Sequence, residues 1–307
     1  MLFASKNPGS NDSIVKKCAG GQVYGVETVH PHTVNTMTNP DNSRTARPTR
    51  QLRQAREGTL PPAPVRWGVP DAVVALALGA ALVYGNFLLE TQPWFPRGDV
   101  AAVTASIVFY GILFAFIIGV SRLRGLGGLR RDFGFELRWI DLPIGIGIAI
   151  AFQVLSVVVD LFGLDVLHLP NVDTSNVELP KSLGLAVFYG LAIVSFFAPI
   201  VEELIFRGLV MRSVRNVVIR RARFESAKTT RRAQGASILI SALLFAGGHL
   251  YEARNLTMLF DLGVSIFIFG LIMAAVDSRT GRLGPSLIAH MLTNGFATVV
   301  ILSAAQR

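Results

Sequence analysis

The sequence has few charged residues and a single cysteine, and both shortages limit what the protein can be. Charged residues make up 16% of the 307 residues, whereas soluble domains carry about 25%. The one cysteine, Cys18, excludes an intramolecular disulfide and any zinc site built from several thiolates. The sequence also lacks the basic and aromatic stripe typical of nucleic-acid binding, so we expect no nucleic-acid partner.

Apolar residues, in contrast, are abundant and grouped. Hydrophobic residues account for 51% of the chain, and its mean hydropathy is +0.49. Apolar runs near the length of about 20 residues that crosses a bilayer alternate with short polar loops from Val69 onward. These runs cover approximately 69–90, 99–120, 140–163, 181–210, 235–250, 256–276 and 284–304. The sequence therefore predicts an all-α, polytopic transmembrane helix bundle over residues 69–307.

The first 68 residues differ from the rest of the chain. They lack a long apolar run and are rich in Asn, Thr, Arg, Pro and Gly, which predicts a disordered, basic cytoplasmic tail. They also lack the apolar stretch of about 7–15 residues that a signal peptide needs. The arginines before the first span favour contact with anionic lipid; they are Arg44, Arg47, Arg50, Arg53, Arg56 and Arg66.

The loops alternate between rich and poor in Lys and Arg. The rich loops are 121–139, 211–234 and 277–283, and the poor loops are 91–98, 164–180 and 251–255. Because cytoplasmic loops carry the excess of basic residues, this predicts a cytoplasmic amino terminus and an external carboxyl terminus. From the depth of the polar residues in their spans, we expect a polar cavity that reaches mid-membrane and opens to the cytoplasm.

The fourth apolar run contains two adjacent carboxylates and an arginine. Glu203 and Arg207 are four residues apart, so they can pair on one helix face. Glu202 points about 100° away around the helix axis and lacks that partner. Pro199 has no backbone N–H to donate, which predicts a kink or an open carbonyl one turn earlier.

Two of the five histidines also lie in apolar runs. His249 follows Gly247 and Gly248, which permit close approach of a backbone, while His290 and Asn294 are four residues apart in the last span. Taken singly, each feature is explained by structure alone, as an ion pair or as hydrogen bonding between helices. Ionisable groups inside spans are costly, so their combination on three helices favours a functional site.

At these residues the sequence resembles the CPBP family of intramembrane proteases, which includes the CAAX prenyl endopeptidases and the bacterial Abi proteins. The family pattern is Glu-Glu-x-x-x-Arg, then Phe-x-x-x-His, then His-x-x-x-Asn. In this chain the pattern is formed, in family order, by Glu202, Glu203, Arg207, Phe245, His249, His290 and Asn294. The resemblance covers roughly residues 140–304, and family members usually have one helix more than the seven predicted here.

The resemblance implies hydrolysis of a peptide bond within the membrane. It implies that Glu202 is the catalytic carboxylate and that His249 helps it to activate water. His290 and Asn294 would then stabilise the tetrahedral oxyanion. The Glu203–Arg207 pair would brace the helix, with Phe245 as a further supporting residue.

A metal mechanism stays open at this stage. One carboxylate and two imidazoles suit a divalent metal such as zinc, with Glu202, His249 and His290 as the ligands. The family itself is described both as metal-dependent and as glutamate-dependent. The absence of a His-Glu-x-x-His motif excludes only the zincin arrangement.

Two other functions compete with proteolysis. A non-catalytic scaffold or bacteriocin-immunity partner would keep the fold without needing Glu202, and an ion-coupled carrier would predict an internal repeat that the sequence lacks. The composition of the spans favours a bacterial plasma-membrane protein. We therefore expect a membrane-associated bacterial peptide or protein as substrate rather than a prenylated CAAX peptide, and the sequence leaves the oligomeric state open.

Overall fold

The structure is a computed structural model that describes residues 65–172, 178–221 and 226–304. Residues 1–64, which form most of the predicted tail, lie outside the described residues. The described residues form helices and contain no strand. The helices are α1 (Val69–Glu90), α2 (Asp99–Arg124), the short α3 (Leu129–Phe133), α4 (Asp141–Asp165), α5 (Leu183–Arg221), α6 (Ala227–Gly247), α7 (Leu256–Thr280) and α8 (Gly284–Ala304).

Seven of these helices, all except α3, are long and apolar enough to cross a membrane. The predicted all-α, polytopic bundle is thereby confirmed, and each predicted span overlaps one helix. Two boundaries differ from the prediction. Helix α5 continues past 210 to Arg221, and the helix containing the fifth span begins at Ala227 rather than near 235. Both extensions are basic and polar, so a search for apolar runs does not detect them.

Side-chain caps and a left-handed glycine set the ends of α6 and α7. The Thr229 N–H donates to the Ser226 hydroxyl at 3.1 Å, and the Met258 N–H donates to the Asn255 side chain at 2.8 Å. These contacts satisfy N–H groups that a helix start leaves without partners. Gly281 ends α7 with a φ of 73°, a conformation that glycine adopts without steric cost.

Helix α5 is irregular around Pro199. Residues Phe188–Phe197 and Leu204–Val210 are π-helical, and the α-helical turn Ala198–Glu203 lies between them. In a π-helix the N–H of one residue donates to the carbonyl five residues earlier. Because Pro199 has no N–H, the Val194 carbonyl is left for another donor. The predicted open carbonyl is therefore present, within a widened helix.

One end of the bundle, called here the base-rich end, is formed by the loops 125–140 and 281–283 and by the start of α1. Its centre is Asp132, which is 3% exposed. The Asp132 carboxylate accepts hydrogen bonds from the Trp67 indole, the Ser121 hydroxyl and the backbone N–H groups of Leu126 and Gly128. Trp67 is buried although it falls within the last residues of the predicted tail.

The opposite end, called here the base-poor end, carries the loops 91–98 and 253–255 and the described loop residues 166–172 and 178–182. The Lys181 N–H donates to Asp99 at 2.6 Å, and Arg254 pairs with Glu178 at 2.8 Å. The Thr257 hydroxyl donates to the Pro170 carbonyl at 3.1 Å. The alternation of basic and base-poor loops in the sequence thus corresponds to two separate ends of the bundle.

The helices form two groups that meet on α5. The hairpin of α1 and α2 packs on α5, while α4 packs against α8 and α7. Helix α6 packs against α7 and against the last part of α5. The fully buried side chains include Phe133, Leu204, Leu209, Met273 and Leu283. They form part of a tightly packed layer on the base-rich side of Glu202.

We predict that Asp132→Ala lowers the free energy of unfolding by about 1–3 kcal/mol, because four donors lose their buried acceptor together. The measurement is the midpoint of thermal unfolding of the purified protein in detergent. Arg131→Ala is the matched control, since the neighbouring Arg131 is exposed and should leave the midpoint unchanged. Equal midpoints for the two variants would contradict the role given to Asp132.

Candidate active site

Three helices bring Glu202, His249 and His290 together. Glu202 lies in the α-helical turn of α5, His249 just beyond the end of α6, and His290 in the second turn of α8. Glu202 Oε2 is 3.9 Å from His249 Nε2 and 3.7 Å from His290 Nε2. Residues far apart in the sequence therefore converge on one point, as the sequence motifs predicted.

The second nitrogen of each imidazole has a fixed partner. His249 Nδ1 is 2.8 Å from the Phe245 carbonyl oxygen, and His290 Nδ1 is 3.0 Å from Glu203 Oε1. A carbonyl and an ionised carboxylate only accept, so each Nδ1 carries the hydrogen. In the neutral imidazoles both Nε2 atoms then present lone pairs toward the Glu202 carboxylate. Three acceptors facing one point favour a shared proton, a water molecule or a cation between them.

The Glu203–Arg207 pair lies next to this group of three side chains and stabilises it. Both side chains are completely buried, and Arg207 Nη1 lies 3.1 Å from Glu203 Oε1. The same carboxylate oxygen accepts the hydrogen bond from His290. The pairing expected from the four-residue spacing is present, and it also fixes the orientation of an imidazole.

Phe245 fills the space between the charged groups. Its ring is 1% exposed and contacts both histidine rings edge-on, with centroids 4.9 Å from His249 and 5.6 Å from His290. The Arg207 guanidinium lies 4.0 Å from the centroid of the same ring, within cation–π distance. Phe245 thus fixes both imidazoles by packing and shields Arg207 from the cavity.

Asn294 lies in the cavity wall, and its Nδ2 donates to the Val194 carbonyl at 2.9 Å. This is the carbonyl that Pro199 leaves without a partner on α5. Since an amide nitrogen carries two hydrogens, one N–H of Asn294 stays available for a ligand. The first contact of Asn294 is therefore a hydrogen bond between α8 and α5, the structural explanation that the sequence analysis had left open.

Tyr110 is a site residue that the sequence analysis missed. Its hydroxyl, on α2, donates to Glu202 Oε1 at 3.0 Å. This contact holds one carboxylate oxygen and leaves the other, Oε2, facing the histidines. Tyr110 lies 92 residues before Glu202 and outside the family pattern, so no spacing rule pointed to it; a tyrosine within an apolar span was the only available signal.

These residues form the deep end of a cavity of about 1090 Å³. Its wall includes Asn86 and Glu90 from the last turns of α1, with Glu178 and Glu252 from the base-poor end. Among the residues that the structure describes, none from the loops of the base-rich end lines the cavity. The expected polar cavity is present, but the expectation that it opens on the side of the basic loops is wrong. Depth along a span does not reveal which side of a residue is closed by packing.

The predicted metal ligands Glu202, His249 and His290 are of the types that bind a divalent metal, but their ligand atoms lie farther apart than a tetrahedral zinc site requires. Each histidine has its Nδ1 bound to an acceptor, as metal-bound histidines usually do. Tetrahedral zinc with ligand distances of 2.0–2.2 Å places ligand atoms about 3.3 Å apart, closer than the 3.7 and 3.9 Å found around Glu202. Among the described residues, no group of three or more His, Cys, Asp or Glu side chains is arranged to hold a metal ion.

Residues 184–296 match the family model of the Type II CAAX prenyl endopeptidase Rce1-like family. The resemblance found in the sequence is thereby confirmed for this segment, which contains all seven motif residues. The match supports protease activity in a multi-pass membrane protein. Comparisons with curated proteins and with solved structures gave no match.

The buried pair gives a prediction on stability. Replacing Arg207 alone with Leu leaves the Glu203 carboxylate buried without its cation, which should cost about 3–5 kcal/mol. Changing both residues to apolar side chains removes the buried charge as well. We therefore expect the Glu203→Leu/Arg207→Leu double variant to unfold at a higher temperature than Arg207→Leu in detergent. The single variant Glu203→Leu completes the comparison. If the double variant lost as much stability as Glu203→Leu and Arg207→Leu lose together, the coupling between the two residues would be contradicted.

Proposed function

We propose that this protein is an intramembrane endopeptidase whose Glu202 activates water against a peptide bond of a membrane-associated substrate. The observation that supports this most is the convergence of Glu202 Oε2 with the Nε2 atoms of His249 and His290 at the deep end of a cavity. The family match over residues 184–296 points to the same reaction class. Neither observation favours the scaffold or carrier alternatives.

The atoms around Glu202 leave a place for a water molecule beside them. Distances of 3.7 and 3.9 Å are too long for direct hydrogen bonds, but a water to one side of the carboxylate and an imidazole can contact both. In the proposed first step Glu202 takes a proton from this water while the water oxygen bonds to the substrate carbonyl carbon. In the second step the carbon–nitrogen bond breaks, and the same proton moves to the leaving amine.

The developing oxyanion needs hydrogen-bond donors. The free N–H of Asn294 is one donor available in the cavity wall. His290 is a second donor in the form of the enzyme whose Nε2 has taken a proton from solvent before the reaction, because Nδ1 already carries a hydrogen toward Glu203. The Glu203 carboxylate stabilises the imidazolium so formed, which links the buried pair to the reaction.

The divalent metal remains a prediction. Glu202, His249 and His290 are the residues that would hold it, and it would supply a Lewis acid and a more acidic water. Since their spacing is wider than a tetrahedral zinc site requires, the steps given above use only the side chains of this chain.

The setting of the reaction follows from the seven apolar helices and the loop charges. We place the protein in a bacterial plasma membrane, with the base-rich end and the amino terminus in the cytoplasm. The partner is then a membrane-associated peptide or protein, and the bilayer is the surrounding solvent. The oligomeric state plays no part in the proposed steps.

We predict that Glu202→Gln removes cleavage, because the amide cannot accept the proton of the attacking water. The measurement compares newly formed protein amino termini in cells that produce the wild type or the variant at equal levels. Termini that depend on Glu202 should fall by about 10²–10⁴-fold, the usual contribution of a general base. Glu136→Gln, which changes a carboxylate at the base-rich end, should leave them unchanged. Identical termini in wild type and Glu202→Gln cells would favour the non-catalytic scaffold.

Tyr110 gives a second prediction, as a residue that positions the catalytic carboxylate. Tyr110→Phe removes a hydrogen bond to a charged group, worth about 1.5–3 kcal/mol, so kcat on a substrate identified from the termini should fall about 10–100-fold with KM nearly unchanged. Tyr189→Phe is the matched control, since its hydroxyl lies in the same cavity wall and contacts Ser106 rather than Glu202. An equal loss of kcat in both variants would show that the effect is not specific to Glu202.

A further inference from the structure

We propose that the scissile segment of the substrate reaches Glu202 from the base-poor end of the bundle, between the α1–α2 hairpin and the wall formed by α4 and α7. With the base-rich end in the cytoplasm, the enzyme then cuts a polypeptide segment presented from the non-cytoplasmic side of the membrane. The nature of the occupant rests on the proposed protease function, whereas the route itself rests on the cavity.

The lining of the cavity runs in one direction from Glu202. Asn86 and Glu90 lie in the last turns of α1, and Phe95 lies in the loop that follows. On the other side of the opening, Glu178 and Glu252 precede α5 and α7. All five residues belong to the base-poor end, so a ligand there enters without crossing the packed part of the bundle.

Toward the base-rich end, the described side chains close the way to Glu202. Directly beyond Glu202, the Glu203 and Arg207 side chains are completely buried. Phe133 and Leu283, from the base-rich end, are also completely buried, as is Leu204 on α5. A peptide that approached from the base-rich end would have to displace this layer and separate the buried ion pair.

The walls of the cavity suit an extended polypeptide. Its volume of about 1090 Å³ exceeds the roughly 300–1,000 Å³ of sites for drug-sized ligands. Polar side chains line both walls at membrane depth, with Ser106 on α2, Gln153 and Ser156 on α4, and Ser265 on α7. An extended segment within the membrane has backbone groups without partners. The three serine hydroxyls already donate within their own helices, but their oxygens can accept from peptide N–H groups, and the Gln153 amide can both donate and accept. A lipid chain would need none of these contacts.

The experiment uses thiol labelling, because Cys18 is the only cysteine of the chain. In a Cys18→Ser background, Ser156→Cys places one thiol in the cavity wall, and Val157→Cys places one on the exposed, apolar face of the same helix. Arg131→Cys marks the base-rich end. Each variant is treated with a membrane-impermeant, sulfonated maleimide in sealed right-side-out vesicles, before and after permeabilisation.

We expect Ser156→Cys to be labelled in sealed vesicles and Arg131→Cys only after permeabilisation. Val157→Cys should stay unlabelled in both conditions because it faces lipid. Labelling of Ser156→Cys only under the condition that also labels Arg131→Cys, or not at all, would overturn the proposed route.

The labelling pattern does not depend on cleavage. An unexpected pattern would therefore contradict the proposed route without contradicting the protease function.

A second measurement tests whether the substrate of the protease uses this route. In cells that produce Ser156→Cys, the same reagent should abolish the termini that depend on Glu202, whereas cells that produce the Cys18→Ser background should keep them. Termini that persist after full labelling of Ser156→Cys would show that the substrate does not use this cavity.

Discussion

The buried ion pair between Glu203 and Arg207 is the interaction on which the rest of the site depends. Two charges without access to water are unfavourable by themselves, and they persist only when their geometry and hydrogen bonding compensate for the lost hydration. Here a single oxygen, Glu203 Oε1, accepts from Arg207 and from His290, and the Phe245 ring lies against Arg207. The pair therefore joins α5, α6 and α8 and fixes the imidazole that faces Glu202.

Pro199 has a comparable influence on the backbone. It lies in the α-helical turn between two π-helical segments, and wide turns of this kind occur frequently at functional sites. The carbonyl of Val194, left without an N–H partner, binds Asn294 and so ties α8 to α5. The same helix turn carries Glu202. One missing backbone hydrogen thus connects the irregularity of α5 with the placement of two motif residues.

The asymmetry between the two ends of the bundle gives the site its chemical setting. A packed layer lies on one side of Glu202 and a polar cavity on the other, so among the described residues the cavity is the approach that packing leaves to this carboxylate. Enclosure on the packed side lowers the local dielectric and strengthens the interactions among Glu202, the histidines and the Glu203–Arg207 pair. Tyr110 acts from the cavity side and holds the carboxylate in one orientation.

The sequence by itself determined the helix bundle and its seven spans, because apolar runs of membrane length are local properties of a chain. The cost of polar groups within spans singled out Glu202, Glu203, Arg207, His249, His290 and Asn294, whereas Phe245 followed only from the family resemblance. The pairing of Glu203 with Arg207 followed from helical spacing alone. Only the tertiary structure decided that Tyr110 holds Glu202, that Asn294 binds the Val194 carbonyl, and that the cavity opens at the base-poor end. These features depend on which helix faces come together, and packing between distant segments leaves no periodic signal in the sequence.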